Sequence, residues 1–422
     1  MTGARTIAEI VAHDLCIGCG LCEALTGGRV KMVMTPAGSL RPSPPDKFTP
    51  DEEAQLVAAC PGAVAEARVE DGCSFDPVWG AYRSMARAWA AHPDVRYRGA
   101  TGGVLTALGM HALRTGRVAF VLHVGADPEQ PMRSRWIISE SEASVKANTA
   151  SRYGPTAPLA GLAAALDRGQ PFGIIAKPCD LTAVHLLSRN DPRIDELCVV
   201  RLVLVCGGQS RLTKSQAVLE EFGIDEDDVA LFRYRGHGNP GPTVVETRAG
   251  ERFSKPYLEM WADEAGWQVE TRCKFCPDAL GEAADVASAD IWPGGAPTGE
   301  DEGFNGIIVR TELGEQLVAS AVKAGDLVVT DEITPRQFDD FQPHQVRKKE
   351  ALAARYQGLA DAGVAPIETR GLRIEELGRR LDPERFEHER SGARRRAERL
   401  QAMITPARPA RTGTRSGRST GG

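Results

Sequence analysis

The chain is 422 residues long, 42% hydrophobic and 26% charged, with a formal net charge of -6. That length and apolar content suit two or three globular domains with real cores, and the acidic balance excludes recognition of nucleic acid through global charge. The unusual feature is ten cysteines, and no run approaches the roughly 18 apolar residues of a membrane span.

The N-terminus "MTGARTIAEIVAHDLC" lacks the apolar core of a secretory signal, so a cytoplasmic location is expected. In a reducing compartment clustered cysteines predict metal or redox chemistry, not a disulfide framework. The stretch "DLCIGCGLCEAL" spaces Cys16, Cys19 and Cys22 two residues apart, with Gly18 and Gly20 between them to allow a tight turn. A proline-rich stretch, "TPAGSLRPSPPDKF", reads as loop, and "VAACPG" then supplies Cys60-Pro61. Three closely spaced cysteines with a remote Cys-Pro form the bacterial ferredoxin pattern for a [4Fe–4S] cluster. Zinc is the competing reading, because C-x2-C also builds zinc ribbons, and four inert thiols are the bland one.

Next, "RYRGATGGVLTALGMHALRTGRVAFVLHVG" reads as loop, helix and strand. Gly99, Gly102 and Gly103 flank Thr101 just before the helix, whose free N–H groups and positive dipole end suit a phosphate or a cofactor's ring edge. Glycine before a helix is equally compatible with a structural turn. A polar loop, a helix and an apolar strand follow in "ANTASRYGPTAPLAGLAAALDRGQPFGIIAKPCD", which places Cys179 just past the strand. Cys206 ends a second such run, "CVVRLVLVCGGQS", ahead of a helix in "TKSQAVLEEFG". Cysteines at the ends of neighbouring parallel strands project to one sheet edge, where the C-x2-C loop "CKFCPD" could close over them. A second four-thiolate site, Cys179, Cys206, Cys273 and Cys276, is one reading of this placement and a C-x2-C pair with two scattered thiols the other; Cys198 and Cys73 read as ordinary thiols.

Between these cysteines "LFRYRGHGNPGPTVVET" reads as a glycine-rich turn between strands. His237 in that turn is the candidate proton donor, since an unperturbed imidazole titrates near pH 6.5; a solvated loop histidine is the alternative. Arg233 and Arg235 either hold a phosphate or carboxylate or form a solvated strand face. His185 reads as a packing or surface residue. "NGIIVRTELGEQLVASAVKAGDLVV" repeats strand, helix and strand, and the alternation predicts a mixed α/β architecture. From about Arg347 the chain turns helical and charged, which reads as a peripheral extension before a basic tail.

These motifs carry a resemblance. "CIGCGLC" with "ACPG", "GATGGVLTALGMHAL", "SRYGP", "KPCDLTAV", "FRYRGHGNPG" and "CKFCPD…ADIWPGG" occur in the order found in the family of coenzyme F420 hydrogenase/dehydrogenase beta subunits. That family also includes 7-hydroxymethyl chlorophyll a reductase and ferredoxin-dependent divinyl chlorophyllide reductase. The resemblance spans roughly residues 14–295 and implies a flavoprotein with FAD and one or two [4Fe–4S] clusters. It implies flavin contacts from Thr101, Gly102, Gly103, Ser151, Arg152 and Tyr153, and a catalytic Lys177 between flavin and cluster. The expected organisation is a ferredoxin-like [4Fe–4S] module at 1–72, the N-terminal part of an α/β flavin-binding core at 73–175 and its C-terminal part, with the second cluster, at 176–345. A helical extension at 346–404 and a disordered tail at 405–422 complete it. This chain departs from the family pattern at His237 and Asn239, and at Gly294-Gly295, where a Gly-Asp pair is common.

The implied activity is an oxidoreductase that passes electrons from ferredoxin, another low-potential donor or a deazaflavin through the clusters to FAD and reduces a small organic substrate. The alternative is the electron-transfer beta subunit of a larger dehydrogenase or hydrogenase complex. A partner subunit or a homo-oligomer fits either role, and a zinc-bearing scaffold without redox function is the third reading.

Overall fold

The apolar runs before Cys179 and Cys206 belong in a sheet covered on both faces. The computed structural model, which describes residues 6–44 and 46–404, places both in one eight-stranded sheet. Its strands are β1 (Ser84–Ala90), β2 (Phe120–Ala126), β3 (Ser134–Ser139), β4 (Phe172–Ala176), β5 (Cys198–Leu204), β6 (Val286–Asp290), β7 (Asn305–Val309) and β8 (Leu327–Glu332). They run in the order β8-β1-β7-β6-β5-β4-β2-β3. The central β6-β5-β4-β2 run is parallel; β7, β1 and β8 on one flank and β3 on the other pair antiparallel. The fold is therefore mixed α/β, and the segments leaving β4 and β5 emerge side by side at one sheet edge.

Helices cover both faces. On one, Ala107 and Leu108 of α1 (Val104–Arg114) and Leu317 and Ala321 of α3 (Glu312–Lys323) share one buried cluster with Val200 and Leu202 of β5. On the other, Leu181 and Val184 of α2 (Pro178–Leu187) join Ile174 and Ile308 in a larger core. That core runs without a break from Ile7 and Ile10 to Leu377 and Ala393. The N-terminal cysteine segment thus shares its interior with the sheet.

The C-terminal region is helical, as α4 (Pro343–Glu350), α5 (Leu352–Asp361) and α6 (Pro383–Ile404), but it is not peripheral. Leu352, Leu359 and Leu372, spaced among the charges, are buried in the large core, and a short strand Glu368–Arg370 pairs in parallel with Val64–Glu66 near the N-terminus. The proline-rich stretch read as loop also differs: Leu40–Ser43 is a strand paired with Lys31–Met34. Pro42 is tolerated there because a two-stranded ribbon demands no donor on its outer side. A three-stranded antiparallel sheet, Val229–Arg233, Thr243–Thr247 and Arg252–Lys255, carries the glycine-rich turn between its first two strands. Among the described residues no helix is long and apolar enough to cross a membrane. The tail expected at 405–422 lies outside the described residues.

Candidate functional site

The first cysteine set depends on two glycines. Gly18 has φ +75° and Gly20 φ +93°, and a Cβ at either would lie 2.7 Å from the Leu40 carbonyl oxygen or 2.5 Å from the Ala160 nitrogen. The turn is pinned by the Leu159 N–H donating to the Cys19 carbonyl and the Gln209 amide donating to the Ile17 carbonyl, each at 3.0 Å. Cys60 caps the helix Pro50–Ala59 and joins the triplet, its sulfur accepting from the Gly62 N–H at 3.4 Å. Burial, then the Cys16 thiol, pushes Cys60 up to about 11. Cys19 and Cys22 are raised well above the ordinary thiol value by burial, and Cys60 adds to both. Four thiolates cannot share this place without a compensating cation, and loading a metal here would release protons.

The four cysteines of the second set also come together. Cys179 lies in the first turn of α2, Cys206 two residues past β5, Cys273 within the short helix Thr271–Lys274 and Cys276 two residues beyond it. All four line a small internal void, with Ile17 from the first cysteine loop in its wall. The Gln209 N–H donates to the Cys273 sulfur at 3.4 Å, while burial followed by Cys206 pushes Cys273 up to about 12. All ten cysteines are free thiols. Among the described residues no three His, Cys, Asp or Glu side chains are arranged to hold a single metal ion. Cys198 is buried at the start of β5, and Cys73 donates to the Arg310 carbonyl at 3.4 Å; neither joins a set.

A cavity of about 450 Å³ adjoins the second set at the carboxyl ends of β2, β4, β5 and β6, where open α/β sheets bind ligands. Lys177, Cys206, Gly208 and Gln209 line both spaces. Lys177 donates to the Thr156 hydroxyl at 2.6 Å and pairs with Asp180 at 2.9 Å. Burial lowers its pKa, but Asp180 and Cys179 outweigh that and keep the ammonium charged. The N-terminus of α1 forms another wall: Gly103 caps it at φ +74°, in a conformation only glycine adopts freely.

Thr101, Gly103, Ser151, Arg152 and Tyr153 reach the cavity, but Gly102 does not. Gly102 packs instead on β7, where a Cβ would meet Asn305 Oδ1 at 2.7 Å. Arg152 spends its guanidinium on the carbonyls of Pro131, Met132, Arg133 and Phe232, so it clamps backbone more than it offers charge. His237 is not on the cavity wall. Its left-handed φ of 59° turns the ring onto Tyr97, with centroids 5.3 Å apart, and this corrects its reading as proton donor.

Arg235 is neither a solvated strand residue nor free for an anion. The strand ends at Arg233, so the two do not share a face. Arg235 is buried, donates to Asp290 at 2.9 Å, Tyr153 at 3.2 Å and the Ala100 carbonyl at 2.5 Å, and lies 5.0 and 4.9 Å from the Tyr257 and Trp292 ring centres. Asp290 also accepts from the Thr101 hydroxyl, joining the α1 loop to β6.

Sequence reasoning missed the wall contributed by Gln342, His344 and Arg347, which carry no recognisable spacing to any motif. His123, also on the wall, was missed for the same reason. It is 6% exposed, bonded to Ser139 at 2.7 Å, and pushed down to about 4 by burial, with a Val124 backbone hydrogen bond opposing. An imidazole depressed from its ordinary value binds fewer protons folded than unfolded. It therefore costs nothing above about pH 6.5 and removes about 3 kcal/mol of stability as pH falls toward 4. Urea unfolding at pH 7 and pH 5 should show about 2 kcal/mol of this loss, and His123→Asn should reduce it; an unchanged acid limb in that variant would refute the assignment.

Residues 85–163 match the family model for the N-terminal region of the coenzyme F420 hydrogenase/dehydrogenase beta subunit, and residues 169–334 match the one for its C terminus. The chain belongs to this family. Its relatives are oxidoreductases or subunits of them. It is 22% identical over 316 residues to a subunit of the F(420)H(2) dehydrogenase of Methanosarcina mazei, covering 74% of this chain and 83% of that one. It is 24% identical over 348 residues to the coenzyme F420-dependent sulfite reductase of Methanocaldococcus jannaschii, covering 77% of this chain and 48% of that protein. A chain of the F420-reducing [NiFe] hydrogenase complex from Methanosarcina barkeri is similar at a TM-score of 0.49 and 18% identity, over 66% of this chain and 95% of that one.

Proposed function

We propose that this chain is the electron-transfer beta subunit of a larger dehydrogenase or hydrogenase assembly, with FAD in the large cavity and a [4Fe–4S] cluster at each cysteine set. One observation carries the reading: the void framed by Cys179, Cys206, Cys273 and Cys276 shares Lys177, Cys206, Gly208 and Gln209 with the cavity wall. The residues present fit the groups. Each set offers four reduced thiols with backbone N–H groups on sulfur, the donor chemistry a cubane takes. The cavity offers a helix N-terminus at Gly103, a charged Lys177 and the aromatic faces of Tyr153 and Trp261.

When bound, a flavin exchanges single electrons with a cluster and hydride equivalents with an organic partner. This chain's residues set the path. Cys16, Cys22 and Cys60 are only half-buried, which makes the first set the place where a partner subunit or ferredoxin can approach. In the second set two cysteines, Cys179 and Cys273, are buried and Cys206 and Cys276 are half-buried, so it is the more shielded of the two. Lys177, fixed by Thr156 and Asp180, holds a positive charge on the boundary between the two spaces, where it stabilises incoming negative charge.

The second reading is a free-standing ferredoxin-driven reductase of a small organic substrate. It is favoured by α4, which lies outside the matched family regions yet supplies His344 and Arg347 to the cavity wall. Anaerobic purification with iron, sulfide and flavin quantitation tests the cofactors: about eight irons and one FAD per chain are expected. Multiple turnovers by the isolated chain with reduced ferredoxin would overturn the subunit reading in favour of the second. A colourless, iron-free chain would overturn both.

A further inference from the structure

Arg272 is a buried cation between the two cysteine sets. It is 1% exposed. Its Nη1 donates to the Cys276 sulfur at 2.8 Å, while Nε and Nη2 donate to the Pro61 carbonyl at 3.2 and 2.8 Å. Pro61 directly follows Cys60, and Arg272 directly precedes Cys273. One guanidinium therefore joins the peptide beside the first set's remote cysteine to a sulfur of the second set. The groups that act most strongly on it are the sulfurs of Cys276, Cys179 and Cys273, with the Tyr356 hydroxyl next; the Asp180 carboxylate also feels its charge, but among the described residues no carboxylate forms an ion pair with it.

A buried guanidinium without a carboxylate partner costs several kcal/mol unless another anion offsets it. Thiolates ligating a cluster are such an anion, and reduction of the cluster adds one more negative charge. Hydrogen bonds to cluster sulfurs and nearby positive charge raise the reduction potential. The contact with the second set is a direct, charge-assisted N–H···S bond; the contact on the first side ends at a carbonyl that ligates nothing. We infer that Arg272 is a positioning residue for electron flow: it stabilises the reduced form at Cys179/Cys206/Cys273/Cys276 more than at Cys16/Cys19/Cys22/Cys60, and so directs electrons toward the cavity. This rests on the two-cluster reading above.

The test uses the full chain purified anaerobically, as wild type, Arg272→Gln and Arg272→Lys. Iron and sulfide are counted, and each cluster is titrated with dithionite under EPR, with Cys19→Ser and Cys273→Ser assigning the signals. In Arg272→Gln the reduced-to-oxidised ratio of the second cluster at fixed poise should fall at least about tenfold, about 59 mV for one electron. The first cluster should move less than about threefold, by the fall-off of charge effects with distance. Arg272→Lys, which keeps the charge but not the fork, should recover part of the second cluster's loss. Equal shifts in both clusters, or none, with about eight irons retained, overturn this inference alone. Should the Gln variant lose iron, a second-cluster shift in an iron-replete Lys variant supports it and no shift overturns it. Iron loss from both variants also overturns it, because the residue then holds the loop and not the potential. A wild-type count near four irons overturns the two-cluster reading and this inference with it.

Discussion

Cys273→Ser should remove roughly half the iron of the purified chain, about four of eight atoms, and leave the N-terminal set loaded. A serine hydroxyl stays protonated where a thiolate would ligate, and Cys273 is buried with the Gln209 N–H already placed on its sulfur. Cys19→Ser should produce the complementary loss at the other set while FAD is retained, because the cavity shares no cysteine with that set. Iron, acid-labile sulfide and flavin per chain decide the matter. Full iron in Cys19→Ser would show that the first set is not a ligand site. Full iron in Cys273→Ser would reduce the second void to a packing defect between loops. The two variants should also separate spectroscopically, since each leaves a single cluster in a different environment: one half-exposed set, and one beside Arg272 and Lys177.

The two sets were legible for different reasons. The first is local: three cysteines at two-residue spacing demand a turn, and Gly18 and Gly20 supply the positive φ angles that make it. The second is non-local: it was read from two apolar runs, β4 and β5, that belong in a covered parallel sheet and carry Cys179 and Cys206 to one edge, and was firmed by the family resemblance. The mixed α/β architecture followed from the same alternation. What escaped was set by contacts that sequence spacing does not encode. Arg272 looks like any arginine before a cysteine until the Pro61 carbonyl, 211 residues away, accepts its hydrogen bonds. The charged composition of α4 suggested a solvated helix, yet Gln345 donates to the Cys206 carbonyl at 2.9 Å and Lys349 is buried. His237 misled because glycine-rich loops often carry function, whereas this turn serves to place Arg235 and Asn239.

Glu282→Gln should cost about 3–5 kcal/mol of stability, the penalty for leaving buried charge without its partner. Glu282 is 1% exposed and is shared by two cations from the C-terminal region, Lys349 of α4 and Arg373 at 2.5 Å, while Lys349 also donates to the Val78 carbonyl at 2.6 Å. Burial pushes the Glu282 pKa up, but Lys349, Arg373 and Arg310 outweigh it and the net shift is downward. A depressed carboxylate stabilises the fold fully above its unfolded pKa of about 4.3 and loses that contribution as pH falls through its lower folded value. Urea unfolding should therefore show the variant's deficit at pH 7 and a convergence with wild type in acid. Glu282→Gln combined with Lys349→Met should recover part of the deficit, because removing both members of a buried pair is far less costly than removing one. The consequence reaches the site: α4 carries Gln345 and Lys348, which donate to the carbonyls of Cys206 and Gly207. Loosening α4 should make iron at the second set exchange with chelator faster while the first set is unaffected. A variant within about 0.5 kcal/mol of wild type, the range of ordinary surface changes, would show that the C-terminal helices are held by their leucines alone.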